Sequence, residues 1–196
     1  MKQTKYGKRR TVPYRRKRES RTNYKKRLAF LKSGLSRLVV RKSLNTITAQ
    51  IINYEADGDK VLACATSKEL KKFGWKGHTG NMPSAYLTGL LLGKNAKKNK
   101  ISNAVLDLGL QIPIKGGRLY ATLKGAVDAG MEIPHEKEAL PSMDRISGKH
   151  IAEYAKQIKA KSETYNKQFS RYIKEKFNPE DTVKEFEDTK KKILSS

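Results

Sequence analysis

Residues 1–42 hold seventeen Lys or Arg and one acid, Glu19, and that stretch sets what the remainder of the chain has to do. The clusters Lys8-Arg9-Arg10, Arg15-Arg16-Lys17-Arg18 and Lys25-Lys26-Arg27 leave too few apolar residues between them to build a core. Without apolar burial nothing offsets the entropy of ordering, so this arm alone is expected to be largely disordered and to order on a phosphate backbone. The arm carries +16 of a formal net charge of +24, and a compact fold at that charge repels itself. A large anionic partner is therefore expected, either nucleic acid or an acidic membrane surface. The membrane is the weaker candidate. The longest apolar run, Leu87 to Leu92, is interrupted by Thr88 and Gly89 and falls short of the ~18 residues of a spanning helix. The N-terminus has no apolar signal-peptide core, and it shows Tyr and Pro where a transit peptide would show an amphipathic helix. The one cysteine, Cys64, cannot form an internal disulfide; it fits a reducing compartment and reads as a small buried apolar side chain.

The core has to come from Leu35 onward. Arg37 to Arg41 and Thr46 to Tyr54 read as strands, Ala56-Asp57-Gly58-Asp59 as a turn, and Lys60 to Ala65 as the third strand of a meander. Thr66 and Glu69 have the spacing of a capping box opening a short helix that stops before Gly74. Asn81-Met82-Pro83 starts a helix with Tyr86, Leu87, Leu90 and Leu91 on one face, running out in the basic stretch Lys94 to Lys100. Ala104 to Leu110 is a nearly continuous apolar run, the pattern of a strand buried on both faces. Gly116-Gly117 precedes a helix with Leu119, Leu123, Ala126 and Val127 inward and Gly130 as its stop. The order indicates an α/β fold with a mixed sheet. Stripes Ile151/Tyr154/Ala155/Ile158 and Tyr165/Phe169/Tyr172/Ile173 make the last part helical, and Asn178-Pro179 resembles a cap with proline in the first turn. Residues 162–196 hold eight basic and seven acidic residues, a tail built to pack rather than to neutralise phosphate. The expected division is a basic arm 1–34, an α/β core 35–134 and a helical C-terminal extension 135–196.

In the arm, Tyr6, Tyr14 and Tyr24 are interleaved with the cations, which pairs phosphate neutralisation with rings that can stack on unpaired bases. Arg adds bidentate phosphate contacts. A solvated basic tail or a localisation signal is the blander alternative. The segment Gly74-Trp75-Lys76-Gly77-His78-Thr79-Gly80-Asn81 could let a backbone approach a phosphate, with Trp75 and His78 stacking; equally it could be a tight loop anchored by Trp75 in the core. It is neither a dinucleotide fingerprint nor a P-loop. His78, His135 and His150 lack metal-ligand spacing, and one Cys makes no zinc site. Asp107, Asp128 and Glu132 could in principle hold magnesium for a nuclease, yet the first strand carries Arg37 and Arg41 in place of acids. Neither an enzyme, a cofactor nor a small-molecule substrate is expected.

The blocks Val12-Pro13-Tyr14-Arg15-Arg16, Thr22 to Leu28, Arg37 to Ser43, Phe73 to Tyr86, Leu123 to Gly130 and Ile146 to Ala155 are similar to large-subunit ribosomal protein family eighteen, in its archaeal–eukaryotic form. The resemblance covers nearly the whole chain. It implies a ribonuclease-H-like three-layer α/β/α core without catalytic acids. It also implies a place in the cytoplasmic large ribosomal subunit, at the central protuberance. The implied partners are 5S ribosomal RNA, large-subunit ribosomal RNA, the family-five large-subunit protein and other central-protuberance proteins. Carried over to this chain, the RNA-contacting residues are Tyr6, Lys8, Arg9, Arg10, Tyr14, Arg15, Arg16, Arg18, Arg21, Tyr24, Lys25, Arg27 and Arg41, with Trp75, Lys76, His78 and Asn81 in the loop. Deleting residues 1–27 should weaken binding to 5S ribosomal RNA and flatten its salt dependence, because each lost phosphate contact lowers the counterion-release slope. Affinities titrated against salt for both chains measure this, and an unchanged slope would remove the arm from the interface.

Overall fold

The computed structural model describes residues 12–160 and 162–195 of the chain. Strands β1 (Arg37–Lys42), β2 (Ile47–Asn53), β3 (Lys60–Thr66) and β4 (Val105–Asp107) form one sheet in the order β3-β2-β1-β4. The first three make an antiparallel meander, and β4 joins β1 in parallel, giving the mixed α/β sheet expected. Partners in register share a face of the sheet. Leu38, Ile51, Ala63 and Leu106 therefore point one way, as do Val40, Ala49 and Ala65, and this apolar side joins the main core.

Two helices cover that side, α3 (Met82–Lys98) and α4 (Arg118–Asp128). Asn81 caps α3 by accepting from the Ser84 N–H at 2.9 Å, and Pro83 fits the first turn, where no N–H is needed. The sequence pattern gives α3 a single apolar face; instead it is buried all round from Met82 to Gly93. The sheet, α4 and an outer layer surround it. That outer layer contains α5 (Met143–Ser147), α6 (Lys149–Ile158) and α9 (Thr182–Ser195), so sheet, helix pair and outer helices make three layers. Phe186 and Ile193 of α9 belong to the main core, and the Phe186 ring lies 5.6 Å from that of Tyr86. Between them, α7 (Ser162–Gln168) and α8 (Ser170–Lys174) break at Phe169. Ala155, Phe169, Tyr172 and Phe177 form a second small core there, whereas Tyr154 and Ile173 are left largely exposed.

Three further expectations are corrected. The strand expected over Ala104 to Leu110 is only Val105–Asp107, because β4 is an edge strand and the chain turns at Gly109, whose φ is +62°. Cys64 is exposed: it stands opposite Gln50 on the outer side of the edge strand β3. The capping box is half made, with the Glu69 carboxylate accepting from the Thr66 N–H and hydroxyl at 3.0 Å each, while Thr66 itself does not cap the 3-10 turn Glu69–Phe73. The turn does end at Gly74, in the left-handed region.

Helices α3 and α4 touch through their backbones. A Cβ on Gly89 would collide with the carbonyl oxygen of Thr122, and one on Gly125 with that of Tyr86. Helix propensity alone makes Gly125→Ala stabilising by ~1 kcal/mol. The close approach should win, with a loss of ~1–3 kcal/mol or more from overpacking. The direction of the urea-midpoint shift decides between the two effects.

Candidate nucleic-acid interface

The outer side of the sheet is built from the alternate residues. Arg37, Val39 and Arg41 point away from α3, and Asp107, in register with Val39, joins them. Asp59 comes in from the turn before β3. Arg37, only 4% exposed, bridges the two acids: Nη1 lies 3.1 Å from Asp107 Oδ2 and Nη2 lies 2.7 Å from Asp59 Oδ2. The other Asp59 oxygen accepts from Arg27 Nη2 at 2.7 Å. Arg27 sits on α2 (Tyr24–Lys32), so this contact ties the arm to the sheet. Arg41 Nη1 donates to the carbonyl oxygens of Val40 and Asp107 at 2.8 and 2.9 Å. Burial pulls the Asp59 carboxyl upward, but hydrogen bonds from Arg27 and Arg37 outweigh it and hold the group below its ordinary value. The same hydrogen bond raises Arg27.

The arm itself has two short helices where composition predicts little internal structure. Neither α1 (Arg15–Arg18) nor α2 buries a residue, so they are held by local caps and by the Arg27 contact. Asn23 caps α2 by accepting from the Lys26 N–H at 3.1 Å. Tyr6, Lys8, Arg9 and Arg10 lie outside the described residues. Tyr14, Arg15, Arg16, Arg18, Arg21 and Lys25 are exposed, and Tyr14 rests on Tyr24 with ring centroids 5.1 Å apart. Glu19 lies 3.8 Å from Arg15 and 3.2 Å from Arg21, well solvated contacts of small energetic weight. Between arm and sheet lies a cleft of about 630 Å³ whose rim holds Arg16, Arg21 and Lys26, with the Arg37 network as its floor.

The glycine-containing loop is a clasp. Trp75 is 2% exposed and belongs to the main core, so the ring serves as the loop's floor, not as a stacking face. A Cβ at Gly77 would come within 2.5 Å of the indole, which is why glycine stands there. The His78 N–H donates to the Tyr172 hydroxyl at 3.1 Å, Thr79 Oγ1 donates to the Asn45 carbonyl at 2.5 Å, and Arg118 donates to the Gly80 carbonyl at 2.6 Å. Gly80 N–H donates to His78 Nδ1 at 3.0 Å, which fixes a neutral ring whose Nε2 faces Asn45 Oδ1 at 3.3 Å. Burial, followed by the charges of Arg171 and Arg118, keeps that imidazole below its ordinary pKa. Asn81 is spent on capping α3; Lys76 alone of the expected loop residues points freely outward.

Asp128 accepts from the Tyr86 hydroxyl at 2.8 Å and Asp107 is matched by Arg37, so two of the three carboxylates weighed for a metal are engaged separately. Among the described residues no group of three or more His, Cys, Asp or Glu could hold a metal ion. The family model described as ribosomal large subunit proteins 60S L5 and 50S L18 matches residues 8–102 and 94–136. The chain belongs to that family. It is also 50% identical over 184 residues to the large ribosomal subunit protein uL18 of Methanococcus maripaludis, covering 94% of this chain and 95% of that protein. As a family member it is a structural protein of the large subunit of the cytoplasmic ribosome, not an enzyme, with ribosomal RNA and ribosomal proteins as its partners.

Sequence reasoning missed Asp59, read only as a turn residue, and Tyr172, read only as part of a stripe. A signal for the network did exist: Arg37 opens a strand whose next three residues are apolar, and a guanidinium buried there demands acids nearby. Because the folded Asp59 titrates below its unfolded value, its contribution is fully present above about pH 4 and is lost as pH falls through the folded value. Asp59→Asn should therefore lower stability at pH 7 by ~1.5–3 kcal/mol and flatten the loss between pH 5 and pH 2. Urea midpoints across that range measure both.

Proposed function

We propose that this protein binds 5S ribosomal RNA and helps attach it to the large-subunit RNA in the central protuberance, beside the family-five protein. The observation that carries this reading is the row of exposed cations on a docked arm: Arg15, Arg16, Arg18, Arg21 and Lys25 are displayed to solvent beside the Tyr14–Tyr24 ring pair. Cations set affinity through phosphates and rings favour unpaired bases, the combination suited to a folded RNA with loops and bulges. Arg27 acts one step back, holding the arm against the sheet, and Arg41 commits Nη1 to backbone carbonyls while lining the cleft beside the arm. Trp75, His78 and Asn81 act through the loop they stabilise, which leaves Lys76 as its exposed phosphate contact. The C-terminal helices, near charge balance, brace neighbouring protein or RNA.

The test is competition. Purified protein should retain 5S ribosomal RNA in the presence of excess transfer RNA at near-physiological salt. Equal binding of both RNAs, lost together as salt rises, would reduce the protein to a general polycation.

A further inference from the structure

The cleft between α2 and the outer sheet face falls, at about 630 Å³, within the ~300–1,000 Å³ usual for small-ligand sites. Its two acids are already matched by Arg27 and Arg37, so Arg16, Lys26 and Arg41 leave the cavity with a surplus of positive charge. Tyr24 contributes a ring, steadied by Tyr14. Two buried polar atoms on residues lining the cleft lack a partner among the described residues: Arg37 Nε, a donor, and Gln111 Oε1, an acceptor. Buried groups of this kind are costly unless something else meets them. An anion explains the surplus of cations, and a flat heterocycle explains the ring.

We infer that this cleft is a subsite for one unstacked nucleotide of RNA. Its phosphate lies among Arg16, Lys26 and Arg41, and its base lies against Tyr24. The proposal rests on the RNA-binding reading above and adds where on the protein a single nucleotide is taken. Paired bases cannot enter, so the site selects loops and bulges. Asp59 is then a positioning residue. By charge alone an acid beside an anion site weakens binding; by geometry it anchors α2 through Arg27 and keeps the cleft shaped.

The probes are a short fluorescent oligoadenylate and a blunt-ended, fully paired RNA duplex with as many phosphates, each titrated into the full chain. Tyr24→Leu, which keeps the charge and lies outside the core, should weaken the oligoadenylate about ten-fold and leave the duplex, which has no unpaired base to offer, unchanged. Asp59→Asn should also weaken the oligoadenylate, although it makes the protein more positive. Ultraviolet crosslinking of the wild-type complex should attach the oligoadenylate at Tyr24. An indifferent Tyr24→Leu, or tighter binding by Asp59→Asn, would overturn the subsite and leave only a polycationic arm. Should Asp59→Asn fail to fold by circular dichroism, Tyr24→Leu decides alone. Loss of 5S selectivity with the Tyr24 effect intact would sink the 5S reading and spare the cleft; 5S selectivity without the Tyr24 effect would do the reverse.

Discussion

A guanidinium held between two carboxylates inside a protein is an expensive object, and the outer half of this molecule is arranged around one. Arg37 has given up almost all contact with water, and its desolvation is offset only because Asp59 and Asp107 meet it from two different parts of the chain. Asp107 fixes the short parallel strand at the sheet edge, and its other oxygen accepts from Gly109 N–H at 2.7 Å, which sets the turn that follows. Asp59 fixes the tip of the meander and reaches out to Arg27. Three segments far apart in sequence are thereby fixed relative to one another by charge geometry rather than by apolar packing, and the arm is one of them.

The inner half obeys different physics. Between sheet and helices there is nothing to neutralise, and backbone-to-backbone contact at Gly89 and Gly125 brings α3 and α4 close enough to share one core. The glycine loop joins the halves. With Trp75 as its floor and its hydrogen bonds shared among Asn45, Arg118 and Tyr172, it clips the first hairpin, α4 and the C-terminal helices together. Disposing an irregular segment this way satisfies its backbone groups internally, as burial demands.

Element order and type could be read from the sequence because they depend on local patterning: strand alternation, the Asn81 cap, the Gly74 and Gly130 stops. What failed depended on distance. Asp59 meets partners 22 and 32 residues away, so nothing near it announces more than a turn. The stretch Val61-Leu62-Ala63-Cys64-Ala65 is apolar at both parities, and only the register with β2 shows that Cys64 faces outward. Trp75 beside Lys76 in a glycine loop fits stacking and anchoring equally well until the third dimension chooses. The outer-layer role of α9 was similarly hidden, since near charge balance says that a helix packs without saying on what.

That last helix has a consequence for how the molecule is made. Phe186 and Ile193 complete the same core as Tyr86 and Leu90, yet they are translated about a hundred residues later. While the chain is still being synthesised, the basic arm is already outside the exit tunnel and the core is not yet closed. A nascent polycation attached to an unfinished domain attracts any nearby RNA before it can discriminate among them. Until α9 docks, the newborn chain therefore depends on its surroundings to keep it from the wrong polyanion.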